Sequence, residues 1–233
     1  MALEIRKASK LNHETVAPSD GEADALWIVL QHHPFVGATL ITAEGLFLWA
    51  NARSKLLYLG DDQIEVAGKT LYDLFPKEWC DERIALLKEL EETGKSAVLR
   101  HIRRGRSLLV TYNKMPTPAG EPSRYLILIA EADEEEPIPV PDEYMVFNTG
   151  LMNLGPLDTL SKREIEVLAL ISRGLTTEEI AKQLSRSPKT IEAHRSSVAR
   201  KLGVKNRVQL AEIARKASLE IRHADLKRIG DEP

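Results

Sequence analysis

Hydrophobic positions divide the chain into two parts with different periods. Between residues 36 and 130, apolar side chains are concentrated in five runs of five to eight residues, which is typical of strands. After residue 158 they recur every three or four positions, as they do on one face of a helix. We therefore expect an α+β fold with a sheet in the N-terminal part and a separate all-α domain in the C-terminal part.

Turn and capping residues fix the order of elements in the N-terminal part. A helix around Trp27 comes first, followed by a strand pair with Gly45 in the left-handed position of its turn. Asn51 stands where its side chain would cap a short helix, and a longer amphipathic helix should end at Gly94. Strands are predicted at residues 36–42, 46–50, 97–103, 108–115 and 124–130.

This order of elements, together with the segment GLFLWANARSKLL, resembles a PAS domain over residues 21–132. The resemblance implies a five-stranded antiparallel sheet with helices across one face, preceded here by a polar leader over residues 1–20. It also implies a role in sensing or dimerisation, with any ligand pocket between sheet and helices. Candidate pocket residues are Trp49, Tyr72, Trp79 and Tyr112; the alternative is that these aromatic side chains form ordinary core.

No cofactor is predicted for this domain, and the ligand of the pocket, where one binds, is unknown. Flavin-binding members of the PAS family carry a reactive cysteine in an Asn-Cys-Arg motif, whereas Cys80 lies in EWCDER. The neighbouring carboxylates disfavour a thiolate, so we expect an inert thiol. Haem would need an axial ligand, and the spacing favours none of His32, His33 and His101; we expect His101 on an exposed strand face.

A proline-rich linker is predicted over residues 133–157. Residues 131–143 contain seven acidic and no basic side chains, and three prolines between 137 and 141 exclude a regular helix. These features predict a semi-extended acidic spacer. The segment 144–154 is too apolar for a free linker, and we expect it to dock on one of the domains or on a second chain.

Four helices are predicted in the C-terminal domain, over residues 158–218, and a tight turn separates the second from the third. This arrangement is that of a helix-turn-helix domain. The first three helices begin at residues whose side chains can cap them, namely Ser161, Thr176 or Thr177, and Ser187. Ser161 and Glu164 also have the spacing of a capping box.

The third of these helices, from Ser187 to Gly203, has the size of a helix that enters a DNA major groove. Its inward stripe is predicted to contain Ile191, Val198 and Leu202. The opposite face is short-chained, polar and mainly basic. We therefore interpret it as a recognition helix.

Charge supports this interpretation, although the whole chain has a net charge of -3. Residues 158–217 carry 13 Lys/Arg against 7 Asp/Glu, and the segment 182–207 carries eight basic residues against one acidic residue. Basic charge concentrated on one domain indicates binding to nucleic acid.

The sequence LSKREIEVLALISRGLTTEEIAKQLSRSPKTIEAHRSSVARKLGVKNRVQLA resembles the LuxR/GerE-type DNA-binding domain almost position for position. The resemblance implies sequence-specific binding of double-stranded DNA by a homodimer, usually at an inverted repeat, to regulate transcription, with RNA polymerase as a further partner. The family's base-reading positions fall on Glu192, Ala193 and Ser196. We assign phosphate contacts to Thr176, Thr177, Lys189, Thr190, Arg195, Arg200 and Lys201, whereas His194 is either a packing residue or a phosphate contact.

Dimer contacts are expected at Trp27 in the N-terminal domain and at Leu210 and Ile213 in the last helix. A polar tail is expected over residues 219–233. No apolar segment is long enough to act as a signal sequence or to span a membrane, so we expect a cytoplasmic protein without a membrane partner.

Two functions are compatible with these features. The first is a transcription regulator whose N-terminal domain senses a signal or mediates dimerisation. The second is a constitutive DNA-binding protein whose N-terminal domain is a protein-interaction scaffold. An enzyme is not expected, because the sequence shows no nucleophile–base pair, phosphate-binding loop or metal-ligand spacing.

Overall fold

The computed structural model describes residues 20–132 and 140–230. The predicted leader up to residue 19, the acidic residues 133–139 and the last three residues of the predicted tail lie outside these ranges. Within them, the chain has the mixed α+β architecture expected from its hydrophobic pattern.

An antiparallel sheet forms the base of the N-terminal domain. Its strands lie in the order β2-β1-β5-β4-β3, and the helices pack across one face to enclose an apolar core. The predicted strands are confirmed to within two residues at their ends. The elements are α1 (Asp20–Gln31), β1 (Gly37–Thr42), β2 (Phe47–Ala50), α2 (Ala52–Tyr58), a 3-10 turn (Leu71–Asp73), α3 (Lys77–Thr93), β3 (Ser96–Arg103), β4 (Arg106–Met115) and β5 (Arg124–Glu131).

Asn51 fixes the junction between the strand pair and α2. Its Oδ1 accepts hydrogen bonds from the amides of Ser54 at 2.8 Å and Ala38 at 3.0 Å, and its Nδ2 donates to the carbonyl of Leu30 at 2.8 Å. The predicted helix cap is therefore confirmed, and the same side chain also holds α1 and β1 in place. Because Asn51 is buried, these bonds satisfy groups that water does not reach.

The linker predicted over residues 133–157 contains regular structure in its described part. Residues Tyr144–Phe147 form β6, which pairs in parallel with β3 and adds a sixth strand to the predicted five. The physical reason is that β3 would otherwise be an edge strand with unpaired backbone groups, and the apolar segment Tyr144–Phe147 pairs with them. The expectation that this segment docks on a domain is confirmed.

The polar tail predicted from residue 219 is folded as far as residue 230. A 3-10 turn (Ile221–Asp225) leads into a short strand, β8 (Lys227–Arg228), which pairs in parallel with β7 (Leu151–Met152). Ile229 is 8% exposed and belongs to the core of the N-terminal domain. The chain end thus returns to the first domain, where strand pairing with β7 and burial of the Ile229 side chain hold it.

Helices α4 (Lys162–Ser172), α5 (Thr177–Gln183), α6 (Pro188–Leu202) and α7 (Arg207–Lys216) form the C-terminal domain. The central helix α4 packs against both α6 and α7, and α5 packs against α6. Ile102 of β3 joins this second core, so the two domains share apolar contacts in both directions. No helix in the described part of the chain combines the length and apolar character needed to cross a bilayer.

Candidate nucleic-acid interface and sensor cavity

Local capping sets both ends of α6. The Ser187 hydroxyl accepts a hydrogen bond from the Thr190 amide at 3.1 Å, and Pro188 occupies the first turn, where no amide donor is needed. Gly203 ends the helix in the left-handed conformation, with φ of 67°. In the turn before α6, Ser185 has φ of 53°. These caps confirm the bounds predicted for the recognition helix.

Burial divides α6 into the two faces that its sequence predicts. Ile191 and Val198 are 1% and 0% exposed, and Leu202 packs partly buried against the same core. On the opposite side the side chains that face solvent are Lys189, Ala193, Ser196 and Arg200. The outer face of α6 is therefore exposed to solvent. Its side chains are small, polar or basic, which suits a helix that reads base edges in the major groove.

Glu192 is held in place at the edge of this face. Its Oε1 accepts a hydrogen bond from the Thr177 hydroxyl at 2.8 Å, and its Oε2 lies 2.7 Å from Nη2 of Arg195. The carboxylate keeps further lone pairs for a base-edge donor, because an ionised carboxyl accepts up to about four hydrogen bonds. The predicted base reader is thus positioned by two residues predicted to contact phosphates.

Thr176 and Thr190 have structural roles beside their predicted DNA contacts. Thr176 caps α5, since its hydroxyl accepts from the Glu179 amide at 3.2 Å and its amide donates to the Glu179 carboxylate at 2.7 Å. The Thr190 hydroxyl lies 2.8 Å from that of Ser187. His194 is half-buried beside the stripe, which leaves its role open between packing and phosphate contact.

Lys201 differs from the other predicted phosphate ligands. Its ammonium donates to the Glu164 carboxylate at 2.6 Å and to the Thr159 carbonyl at 2.9 Å, so it is used inside the domain. Burial alone would raise the pKa of Glu164, but Lys201 and the amide and hydroxyl of Ser161 outweigh it and lower that pKa to about 2. Lys201 therefore has a structural role within the domain beside its predicted phosphate contact.

The N-terminal domain contains a cavity of about 30 Å³ between the sheet and the helices. Trp79 and Tyr112 line it as predicted. Trp49 and Tyr72 do not: Trp49 packs on Trp27 with ring centroids 4.5 Å apart, and Tyr72 is 44% exposed and donates to Asp81. The structure therefore does not bring these two side chains to this cavity.

His101 is buried, contrary to its predicted exposed position. It is 6% exposed, and its Nε2 lies 3.3 Å from the Tyr58 hydroxyl. Burial, and then the charges of Arg83 and Arg103, hold the pKa of His101 well below its usual range. Cys80 is buried as well, and burial followed by the charge of Asp81 raises the pKa of its thiol to about 11, which agrees with the expected inert thiol.

Two family models match the chain and together cover both domains. Residues 158–214 match bacterial regulatory proteins of the luxR family, and residues 32–137 match the PAS fold. The chain joins a LuxR-type DNA-binding domain to a PAS domain. No described residues form a cluster of histidine, cysteine and carboxylate side chains that would hold a metal ion.

Known relatives match the LuxR-type domain more closely than the whole chain. The oxygen regulatory protein NreC of Staphylococcus aureus (strain JH9) is 47% identical over 64 residues, which are 28% of this chain and 30% of NreC. The chain thus spans about a third of the length of this relative. Among solved structures, the phage VqmA–DPO complex has 20% identity and a TM-score of 0.44, covering 84% of this chain and 88% of that chain. A VqmA–ligand–DNA complex from Vibrio cholerae has 18% identity and a TM-score of 0.46, covering 85% and 91%.

The residues predicted for dimerisation are divided between surface and core. In the LuxR-type domain Leu210 is 1% exposed and belongs to the core, so it is not a surface contact, whereas Val208 of the same helix is 66% exposed. Ile213 is partly buried. In the PAS domain, Trp27 lies on a helix whose neighbouring Leu26, Ile28 and Val29 are each 57% exposed.

Sequence reasoning missed the polar residues inside the PAS domain. Tyr58 and Arg83 line the cavity, although arginine is among the residues least often buried. A signal was present in the sequence, because Arg83 follows Trp79 and precedes Leu86, Leu87 and Leu90 at spacings that place it on the inward face of α3.

Proposed function

We propose that this protein is a sequence-specific DNA-binding transcription regulator that acts as a homodimer and whose PAS domain receives the controlling signal. One observation carries the proposal: the exposed outer face of α6 in a LuxR-type domain, with Glu192 held by Thr177 and Arg195 beside it. The function is DNA recognition, and catalysis is no part of the proposal.

Within this function the side chains of α6 divide between bases and backbone. Glu192 accepts from a cytosine amino group, Ala193 contacts a thymine methyl, and Ser196 bonds to either kind of base edge. Basic and hydroxyl side chains around them bind phosphates and fix the register of the helix in the groove. These phosphate ligands are Thr176, Thr177, Lys189, Thr190, Arg195 and Arg200.

A homodimer fits the apolar surface that a single chain leaves exposed. Leu26, Ile28 and Val29 on α1, and Phe35 just after it at 73% exposure, form a surface that water disfavours. Two chains paired there would present two α6 helices to an inverted repeat, since half-site symmetry follows protein symmetry. We place the protein in the cytoplasm, where it meets DNA and RNA polymerase.

The signal that controls this protein is not inferred from the names of its relatives. The similarity to NreC extends over 64 residues, 30% of NreC, so the oxygen regulation in the name of that protein is not assigned to this chain. The signal has to be found from the PAS domain of this chain.

Selection of bound sequences from random DNA by the full-length protein tests the proposal. We expect an enriched inverted repeat whose half-sites lie about one helical turn apart. In the variant Ala193→Glu, a bulky negative side chain on the exposed face should abolish enrichment without touching the core. Gln209→Glu adds the same charge on α7 and keeps an oxygen acceptor for the Lys205 amide, so it should select the same repeat. Enrichment of no sequence by the wild-type protein would refute the proposal.

One observation favours the second candidate function, constitutive DNA binding with a scaffolding PAS domain. The cavity of about 30 Å³ is far smaller than the roughly 300–1,000 Å³ of drug-sized ligand sites. Titration of small molecules with the melting temperature as readout separates the two functions, because a ligand that binds the folded state raises it. A melting temperature that no compound moves supports the scaffold.

A further inference from the structure

A buried arginine lies in the interior of the PAS domain. Arg83 of α3 is 1% exposed, and its guanidinium lies 5.0 Å from the ring centroid of Trp79 and 5.7 Å from that of Phe147. It forms an ion pair with Glu82, whose side chain is 20% exposed. A guanidinium in such a place needs partners for its donors, because burial removes the water that would otherwise bind them.

One N–H donor of the Arg83 guanidinium lacks an acceptor among the described residues. The Nε of Arg83 is buried and has no hydrogen-bond partner among the described residues. Arg83 also lines the cavity between the sheet and the helices. A buried donor without a partner is costly, so a ligand that supplies an acceptor at this point gains more than it would on the surface.

The rest of the cavity sets the size and character of such a ligand. Most of the lining is aromatic or aliphatic, contributed by side chains such as Phe47, Phe75, Trp79 and Ile127. A volume of about 30 Å³ has room for two to three water-sized groups, since one needs about 10–15 Å³. The occupant is therefore small, with one acceptor group and a short apolar part.

The electrostatic environment favours a negative acceptor over a neutral one. Burial raises the pKa of Tyr58, which lines the cavity, while the positive charges of Arg83 and Arg103 act against that rise. Both guanidiniums thus place positive potential at this point of the interior. In a low-dielectric site a charge-assisted bond from Nε to a carboxylate is stronger than a bond to an amide.

We propose that the PAS domain binds a small monocarboxylate of one or two carbons, with its carboxylate on Arg83 Nε and any methyl group among the aromatic side chains. The assignment rests on the proposed sensing function and names the class of signal.

The contacts of Glu82 give such a ligand a route to the second domain. The Glu82 carboxylate accepts from the Thr149 hydroxyl at 2.7 Å and from the Gly150 amide at 3.0 Å, just before β7. A ligand carboxylate bound to Arg83 competes with Glu82 for the guanidinium and so weakens the ion pair between Arg83 and Glu82. The strength of the hydrogen bonds from Thr149 and Gly150 to Glu82 therefore depends on whether a ligand occupies the cavity.

Titration of the full-length protein without DNA tests the proposal. Formate and acetate are compared with formamide and acetamide at constant ionic strength, with tryptophan fluorescence and the melting temperature as readouts. We expect saturable changes with at least one carboxylate, and at least tenfold weaker binding of the amide of the same length. The Trp79→Phe variant should lose most of the fluorescence change and keep the shift in melting temperature.

Variants of two arginines in the PAS domain complete the experiment. Arg83→Met keeps an unbranched side chain without charge and should remove the preference for carboxylates, whereas Arg106→Met, at an exposed arginine, should keep it. Equal binding of acids and amides, an undiminished preference in Arg83→Met, or no effect of any carboxylate on the wild-type protein would each overturn the proposal. Failure of DNA selection would leave these outcomes unchanged, so the two proposals are tested separately.

Discussion

The ammonium of Lys201 lies 2.6 Å from the carboxylate of Glu164 and joins the end of the recognition helix α6 to the first turn of α4. The Glu164 side chain is 6% exposed, and the Lys201 side chain is 33% exposed. Glu164 also accepts from the Ser161 amide at 2.7 Å, which makes it part of the cap of α4. This ion pair thus adds a polar contact between α6 and α4 to the apolar packing of Ile191 and Val198.

Replacement of Lys201 should therefore change stability more than DNA binding. In Lys201→Met a buried carboxylate loses its counter-charge, and we expect the free energy of unfolding to fall by about 2 to 3 kcal/mol. Urea denaturation measures this, with Lys216→Met on the exposed end of α7 as control, where the change should stay within about 0.5 kcal/mol. A double variant with Glu164→Gln should recover part of the loss. Equal stability of wild-type protein and Lys201→Met would contradict the structural role.

Acid should destabilise the LuxR-type domain through the same carboxylate. The pKa of Glu164 is about 2 in the folded protein and 4.5 without these interactions, so the unfolded chain takes up its proton first as the pH falls. The stabilising contribution is complete above pH 4.5 and is lost as the pH falls towards 2, by up to about 3 kcal/mol. Unfolding measured across this range should show a smaller loss in Glu164→Gln. The same slope in that variant would assign the acid sensitivity to other groups.

Lys189 and Arg200 should determine the salt dependence of DNA binding. Both side chains are exposed on or beside the outer face of α6. When such a cationic side chain binds a DNA phosphate, it displaces a counterion, and this makes the affinity depend on salt. Each change to glutamine should lower the slope of log affinity against log salt by about one. Lys201→Met should leave the slope unchanged, because its ammonium is used inside the domain. A slope reduced by Lys201→Met and not by Lys189→Gln would reverse our assignment.

Glu192 should select one base pair in each half-site. Glu192→Gln keeps an oxygen for the Thr177 hydroxyl but loses the charge that favours a cytosine amino group. We expect the preference at that base pair to weaken by roughly 1 to 3 kcal/mol, measured by competition with duplexes substituted at single positions. Glu178→Gln removes the same charge from an exposed position of α5 and should leave the preference intact. Unchanged specificity in Glu192→Gln would remove it from the base-reading set.

Features encoded by neighbouring residues were predictable from the sequence. The caps at Asn51, Ser161 and Ser187 and the helix end at Gly203 depend on residues within a few positions of one another, and all four are confirmed. The inward stripe of α6 follows from helical periodicity alone. The same holds for the strands, because turn residues and runs of apolar side chains mark their ends.

Features that depend on distant residues were not predictable in this way. Lys201 has the sequence context of a phosphate ligand, and its partner Glu164 lies 37 positions earlier. His101 alternates along its strand as a surface residue would, yet Tyr58, 43 positions away, lies over it. Ile229 looks isolated in a polar tail until the fold brings β7 beside it. In each case tertiary packing overrode a correct local pattern.

Asn153 should control how firmly the two domains are held together. Its Oδ1 accepts from the Arg104 amide at 2.8 Å, and its Nδ2 donates to the carbonyls of Ile229 at 3.0 Å and Gly230 at 2.9 Å. Asn153 is 3% exposed, and its bond to the Ile229 carbonyl is buried. One side chain thus joins the hairpin between β3 and β4 to the returning chain end.

Asn153→Asp replaces the amide donor with a carboxylate that faces two carbonyl oxygens at nearly unchanged volume. A negatively charged acceptor is repelled by two carbonyl oxygens and loses both donated bonds, so we expect the chain end to detach at a cost of about 2 kcal/mol or more. Hydrogen exchange of the Lys227 and Ile229 amides, which bond to the carbonyls of Gly150 and Met152, should then accelerate by at least tenfold. Asn148→Asp makes the same change at an exposed position and should not accelerate exchange. Asn153 lies outside α6 and its caps, so the substitution should not disturb the DNA-binding face directly. A changed DNA affinity of Asn153→Asp would therefore show that detachment of the chain end alters the LuxR-type domain, and an unchanged affinity would show that it does not.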